Sequence, residues 1–182
     1  LEVGSGSHAV QIAEVMRRFE PVVDAEQPNA VLVVGDVNST LACALVASKK
    51  GIPVIHVEAG LRSYDRTMPE EINRILTDQI SDLLFTTERS ARDNLLREGI
   101  ADDRIHFVGN VMIDTLLRHV KQAVPVKKIL SGLENAPLFL QIPTGYGVLT
   151  LHRPSNVDDP VVLERLLVTL CNISERLPLI FP

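Results

Sequence analysis

The stretch Ala30-Val31-Leu32-Val33-Val34-Gly35-Asp36-Val37-Asn38-Ser39-Thr40, followed after one helical pattern by Pro53-Val54-Ile55-His56-Val57-Glu58-Ala59-Gly60, decides the fold class. Each run is short, rich in β-branched residues and closed by glycine and polar residues, as expected of strands buried on both faces. Between them, residues 39–50 form a helical pattern, with Lys49 and Lys50 at the negative end of its dipole and Gly51 as its stop. Strand, helix and strand in this order make a βαβ unit, and a chain that repeats the unit builds a parallel sheet.

The alternation continues on both sides. Residues 83–86 and 105–108 read as two more strands. Residues 8–25 carry Ile12, Val15, Met16, Phe19, Val22 and Val23 at helical spacing behind a Ser7 cap, and Pro21 is expected to kink this helix or end it early. A helix starting at Pro69, with Glu70 and Glu71 in its first turn, is expected to bury Ile72, Ile75, Leu76 and Ile80. Helices follow over residues 88–98, stopped by Gly99, and 111–122, capped by Asn110. From 123 to 146 closely spaced Pro and Gly break the pattern into a connector with one helical turn near 127–130. A strand over 148–151, the loop from His152 to Asn156, a helix over 158–176 and a strand over 179–181 then open a second α/β unit. The expected organisation is therefore 1–122, a connector over 123–146, and 147–182.

Composition narrows the function classes. The 182 residues, 46% hydrophobic and 23% charged, exclude a disordered chain. A net charge of -5 argues against a nucleic-acid backbone as the partner. Cys43 and Cys171 lie in helical apolar patterns without metal-ligand spacing, which points to a reducing, cytoplasmic setting and to no metal. No apolar run approaches the ~20 residues of a membrane span, and no signal peptide opens the chain. The missing initiator Met and the strand-like last residues suggest a piece of something larger.

Ligands of open parallel sheets bind beyond the carboxyl ends of the strands. Asp36 lies there, between its strand and the next helix, where Asn38 or Ser39 is expected to cap. His56 and Glu58 would share one side of their strand by alternation. A lone His in an apolar strand is more often a satisfied core residue, whereas Glu58 is costly to bury without a partner. Glu70 and Glu71 have the position of ordinary first-turn acids. At the fourth strand end, Arg153 beside a helix start could take a phosphate, a solvated turn being the alternative. Gly4-Ser-Gly-Ser-His-Ala9 matches a dinucleotide pattern without its strand and acid, and His8, His106 and His119 form no ligand set.

Taken in order, Val31-Leu-Val-Val-Gly-Asp-Val-Asn-Ser-Thr40, His56-Val-Glu-Ala-Gly-Leu-Arg62, Pro69-Glu-Glu-Ile-Asn-Arg74, Val108-Gly-Asn-Val-Met-Ile-Asp114 and Thr150-Leu-His-Arg-Pro-Ser-Asn-Val157 closely resemble the UDP-N-acetylglucosamine 2-epimerase family. The resemblance covers the chain from Gly4 onward. It implies Rossmann-like domains of a two-lobed fold similar to GT-B glycosyltransferases, with this chain holding the latter part of one lobe and the opening of the other. The family's opening Gly-Thr-Arg-Pro-Glu-type loop and its later His-Pro-Arg-Thr and Asp-Ser-Gly-Gly stretches are not in the sequence. Many members have Glu where Ser155 stands.

The implied reaction interconverts UDP-GlcNAc and UDP-ManNAc by elimination of UDP and re-addition with inversion at C2. The resemblance implies Asp36, Glu58 and Glu70 as its carboxylates and His152 beside the leaving group. Arg62, Arg74, Arg153 and Asn156 are the implied substrate contacts, and Glu71 stays a cap. No cofactor or metal is implied, and a homodimer is. A hydrolysing relative that releases ManNAc, a glycosyltransferase of the same architecture and a binding-only module are the alternatives.

Overall fold

The branched apolar runs pair as a parallel sheet in the order β1 (Val31–Val34), β2 (Val54–Val57), β3 (Leu83–Thr86), β4 (Ile105–Phe107). Val31 stands beside Val54, Ile55 beside Leu83 and Leu84 beside Ile105. The structure is a computed structural model and describes residues 1–131 and 145–181, which divide into two units, Leu1–Arg118 and His119–Pro182.

In the first unit the strands are joined by helices. Helix α1 (His8–Glu26) is capped by the Ser7 hydroxyl, which accepts from the Val10 amide. It runs through Pro21 rather than ending there. The bond that Pro21 removes would end on the carbonyl of Arg17, an exposed residue whose carbonyl water can satisfy. Helix α2 (Asn38–Lys49) packs on α1, and α3 (Pro69–Ile80) on α2. Val37, not a polar residue, holds the N-cap position of α2 and gives no side-chain cap, so the expected capping by Asn38 or Ser39 does not occur. Helix α4 (Arg89–Arg97) follows β3, and α5 (Val111–His119) is capped by Asn110 Oδ1, which accepts from the Met112 amide at 2.9 Å. A 3-10 turn, Val120–Gln122, takes the place of the expected last helical turn.

Two apolar clusters make the core. Val31, Val33 and Val54 meet Ala44 and Ala47 of α2, with Phe19 of α1 and Ile80 of α3 against them. Ala59, Leu84 and Ile105 meet Leu95 of α4 and Ile100. Burial on both strand faces fails for β1 and β4, the edge strands of this sheet among the described residues. Leu32 and Val34 are more than half exposed and only the face of Val31 and Val33 is packed, while His106 and Phe107 of β4 are exposed.

The second correction concerns α3. Its buried residues are Glu71, Asn73, Thr77 and Asp78, while Ile72 and Leu76 are 40% and 45% exposed. The helix turns its polar side to the carboxyl ends of the strands, where backbone amides and charged side chains await acceptors.

Gly60 shows how closely the loop after β2 approaches α4. Its φ is +77°, and a Cβ there would lie 2.7 Å from the Ala91 carbonyl oxygen and 2.9 Å from Leu95 Cγ. Gly60→Ala is expected to destabilise the unit by about 3 kcal/mol, from left-handed strain and overpacking together. Denaturant unfolding checks this, and a loss below about 1 kcal/mol would contradict it.

The second unit contains α6 (Val126–Leu130), β5 (Gly147–Val148), α7 (Pro154–Val157), α8 (Pro160–Ser174) and β6 (Leu179–Ile180), with β5 and β6 parallel. Asp159 caps α8 by accepting from the Val161 amide at 2.9 Å. Positions 132–144 of the expected connector lie outside the described residues. Among the described residues no helix is long and apolar enough to cross a membrane.

Candidate active site

The carboxyl end of β1 turns at Gly35, which has φ +71°. Its amide donates to the Val57 carbonyl at 3.0 Å, and its carbonyl accepts from His56 Nε2 at 2.9 Å. Asp36 follows. Its backbone carbonyl accepts from Asn73 Nδ2 at 2.9 Å, and its half-buried carboxylate lies 3.4 Å from Arg74 Nε. Two residues of α3 thus fix the Asp36 turn.

Glu58 leaves the end of β2 with φ +74°, in the left-handed region. The period-two alternation stops at Val57, so Glu58 does not share a strand face with His56 as expected. The amides of Glu58 and Ala59 both donate to the Phe85 carbonyl of β3, at 3.0 and 3.1 Å, which pins this turn to the sheet. Glu58 Oε2 then lies 3.4 Å from where a Cβ on Gly35 would stand. A side chain at residue 35 would press on that carboxylate. A non-glycine residue held at such a φ costs ~1–3 kcal/mol, and such strain concentrates where function needs a group in one place.

The first two turns of α3 complete the group. Glu70 lines a cavity of about 380 Å³ together with His8, Gln11, Asn38, Ser39 and Asn73. Asn38 organises its wall: Nδ2 donates to Gln11 Oε1 at 2.7 Å and to His8 Nδ1 at 3.0 Å, and Oδ1 accepts from Asn73 Nδ2 at 3.2 Å. Arg74 reaches Glu70's carbonyl, Asp36 and Glu71. Asp36, Glu58 and Glu70, expected from three separate motifs, therefore lie at one end of the sheet, and of the three it is Glu70 that lines this cavity.

Glu71 is not a helix cap. Its side chain is buried, and its two oxygens accept from the amides of Ser63, at 3.0 Å, and Tyr64, at 2.9 Å. Burial opposes its charge, but these amides, the Ser63 hydroxyl and Arg74 outweigh it and hold the carboxyl below its usual range. A carboxylate with a lowered folded pKa contributes stability that is present above its unfolded pKa of ~4.3 and lost as pH falls. Glu71→Gln should therefore cost about 2 kcal/mol at neutral pH, with the gap to the parent closing below about pH 4. Unfolding followed against pH checks both the size and the sign.

Arg62 does not face the crevice. Its side chain is 1% exposed, with Nε donating to Glu98 Oε1 at 2.8 Å and a terminal nitrogen 2.8 Å from Asp78 Oδ2. His56 is a core histidine, fully buried between Asp78 and Gly35. In the second unit, His152 and Arg153 are exposed and Asn156 is half-buried, its amide donating to the Arg153 carbonyl at 2.8 Å at the start of α7. His8, Gln11 and Asn73 were not legible as site residues from spacing. Asn73 had one usable signal, a polar amide three residues after Glu70 on the same helix face.

A parallel sheet with Asp36 and Glu58 at the ends of β1 and β2 and Glu70 at the start of α3 defines an open α/β fold that takes its ligand beyond the strand ends. Residues 1–182 match the family model described as UDP-N-acetylglucosamine 2-epimerase, and the chain belongs to that family. It is 44% identical over 184 residues to the UDP-N-acetylglucosamine 2-epimerase of Methanococcus maripaludis, covering 100% of this chain and 49% of that one. It is 42% identical to the UDP-2,3-diacetamido-2,3-dideoxy-D-glucuronate 2-epimerase of Pseudomonas aeruginosa, again over 100% of this chain and 49% of that one. The crystal structure of the Methanocaldococcus jannaschii UDP-GlcNAc 2-epimerase in complex with UDP-GlcNAc and UDP superposes with a TM-score of 0.82 at 44% identity, covering 100% of this chain and 49% of that one. The fold is thus that of the GT-B-like 2-epimerases, and the chain spans about half the length of the relatives it matches.

Proposed function

We propose that the whole protein is a non-hydrolysing UDP-GlcNAc 2-epimerase. The observation that carries this reading is the gathering of Asp36, Glu58 and Glu70 at the carboxyl end of the parallel sheet, with Glu58 in a strained backbone conformation. The C2 proton of the sugar has no adjacent carbonyl and is not acidic, so its removal must be coupled to loss of a leaving group. One carboxylate takes the C2 proton as the C1–O bond to UDP breaks, and the C1–C2 double bond of 2-acetamidoglucal forms. A second acid then delivers a proton to the opposite face of C2 as UDP oxygen re-bonds to C1. The balance is closed: one proton leaves and one returns, and UDP is neither gained nor lost.

Asp36, Glu58 and Glu70 serve as the acid and base groups. His152 and Arg153, at the opening of the second lobe, would stabilise the departing diphosphate, with Asn156 beside them. Arg74 orients Asp36. The lobes correspond to residues 1–122 and 147–182, joined by 123–146. A homodimer and no need for a cofactor belong to the same proposal, as the family resemblance implies, and the cytoplasm as compartment is supported by nucleotide-sugar chemistry and by the free Cys43 and Cys171.

Turnover of UDP-GlcNAc by the full-length protein in deuterium oxide tests it. One deuterium at C2 of both recovered nucleotide sugars is expected. Unlabelled sugars would refute it, and free ManNAc with UDP would point to the hydrolysing reaction. The same assay with a UDP-2,3-diacetamido uronate decides which sugar is the better substrate.

A further inference from the structure

We infer that His56 is a positioning residue for this reaction: its ring bridges the turn that carries Asp36 to the turn that carries Glu58. The inference rests on the epimerase reading of those two carboxylates. Strand β2 pairs on both edges, with β1 and with β3, so the His56 backbone is among the best-held points of the sheet. The ring is fully buried. Nε2 meets the Gly35 carbonyl at 2.9 Å, immediately before Asp36. Nδ1 meets Asp78 Oδ1 at 2.7 Å. The other Asp78 oxygen accepts from the Gly60 amide at 3.1 Å, two residues beyond Glu58, and lies 2.8 Å from Arg62.

A continuous chain therefore runs from the Gly35 carbonyl through the ring and the Asp78 carboxylate to the Gly60 amide. A carbonyl can only accept, so the Gly35 bond takes an N–H at Nε2, while Nδ1 lies 2.7 Å from the Asp78 carboxylate. A flat ring bonded at both ends fixes the distance between two strand-end turns in a way that no aliphatic residue could. Arg62 belongs to the same device: pinned by Glu98, it holds Asp78 rather than a ligand. Misplacing a reacting group by about 1 Å can cost ~100-fold in rate.

Two partial replacements in the full-length protein test the bridge. In His56→Asn the amide nitrogen takes the place of Nδ1 and keeps Asp78 but abandons the Gly35 carbonyl. In His56→Gln it takes the place of Nε2 and does the reverse. Both are expected to lower kcat at least tenfold, with KM and the Kd for UDP within twofold of the parent. A merely structural histidine would lower Tm and leave kcat per folded molecule unchanged, so a His56→Asn kcat within twofold overturns the inference. Nitrogen-15 NMR of the parent imidazole decides the matter independently of whether the variants fold: a slowly exchanging Nε2–H proton is expected, and its absence overturns the bridge. Absence of C2 exchange in a parent that still binds UDP would defeat the epimerase reading instead, and the NMR result would continue to judge the bridge.

Discussion

Replacing Glu58 by glycine should lower kcat of the full-length protein by about a thousandfold or more while leaving its Tm within a few degrees of the parent. The two halves of this expectation have separate causes. Glycine removes the carboxylate beside Gly35, and loss of a general acid or base costs ~100- to 10,000-fold. On stability, the left-handed φ of +74° at residue 58 is unfavourable for glutamate and free for glycine. That relief of ~1–2 kcal/mol is offset by the greater freedom of glycine in the unfolded chain, ~0.5–1 kcal/mol. Glu58→Gln, which keeps the shape and the strain, should match the glycine variant in rate. A glycine variant that melts far below the parent would show that Glu58 serves the fold, and one with near-parent kcat would remove it from the chemistry.

The largest stability effect is expected at Asp78. Asp78→Ala leaves His56 and Arg62 buried without their shared acceptor and strands the Gly60 amide. Breaking a buried charge pair by removing one partner costs ~3–5 kcal/mol, against a total stability of ~5–15 kcal/mol for an ordinary domain. The variant should therefore unfold at a much lower denaturant midpoint, with little change in m-value. Asp78→Asn, which keeps one acceptor oxygen, should lose less. A loss below about 1 kcal/mol in the alanine variant would show that the network contributes little, and equal losses in the two variants would show that the charge of Asp78 rather than its acceptor geometry holds it.

Much of this architecture is legible in the chain. Each buried strand of the first unit lies within a residue or so of its apolar run, because branched residues between turn residues have few other uses. Asp36 and Glu58 stand out for the same reason: a carboxylate placed where a strand ends needs an explanation. The orientation of α3 is not legible, and the reason is physical. Periodicity weighs each residue against solvent, so it turns Ile72 and Leu76 inward. Glu71 and Asp78 are nonetheless buried, because their partners, the Ser63 and Tyr64 amides and the His56 ring, wait in other parts of the chain. Asn38 misleads in the same way. Its composition suits a cap, but its amide is engaged by Gln11 and Asn73, 27 and 35 residues away.

The polar inner face of α3 also bears on the order in which the protein assembles. If the helix slid by one residue, Ile72 would replace Glu71 and Gln79 would replace Asp78. Three loop amides, those of Gly60, Ser63 and Tyr64, would then lose their acceptors at once, together with His56 and Arg62. The Ser63 and Tyr64 amides of the loop from Leu61 to Met68 are therefore satisfied only when α3 has docked in its one correct rotation. Loop and helix should open as a single cooperative unit. Native-state hydrogen exchange should show the Ser63 and Tyr64 amides, which belong to an exposed loop, protected as strongly as the interior of the helix that holds them.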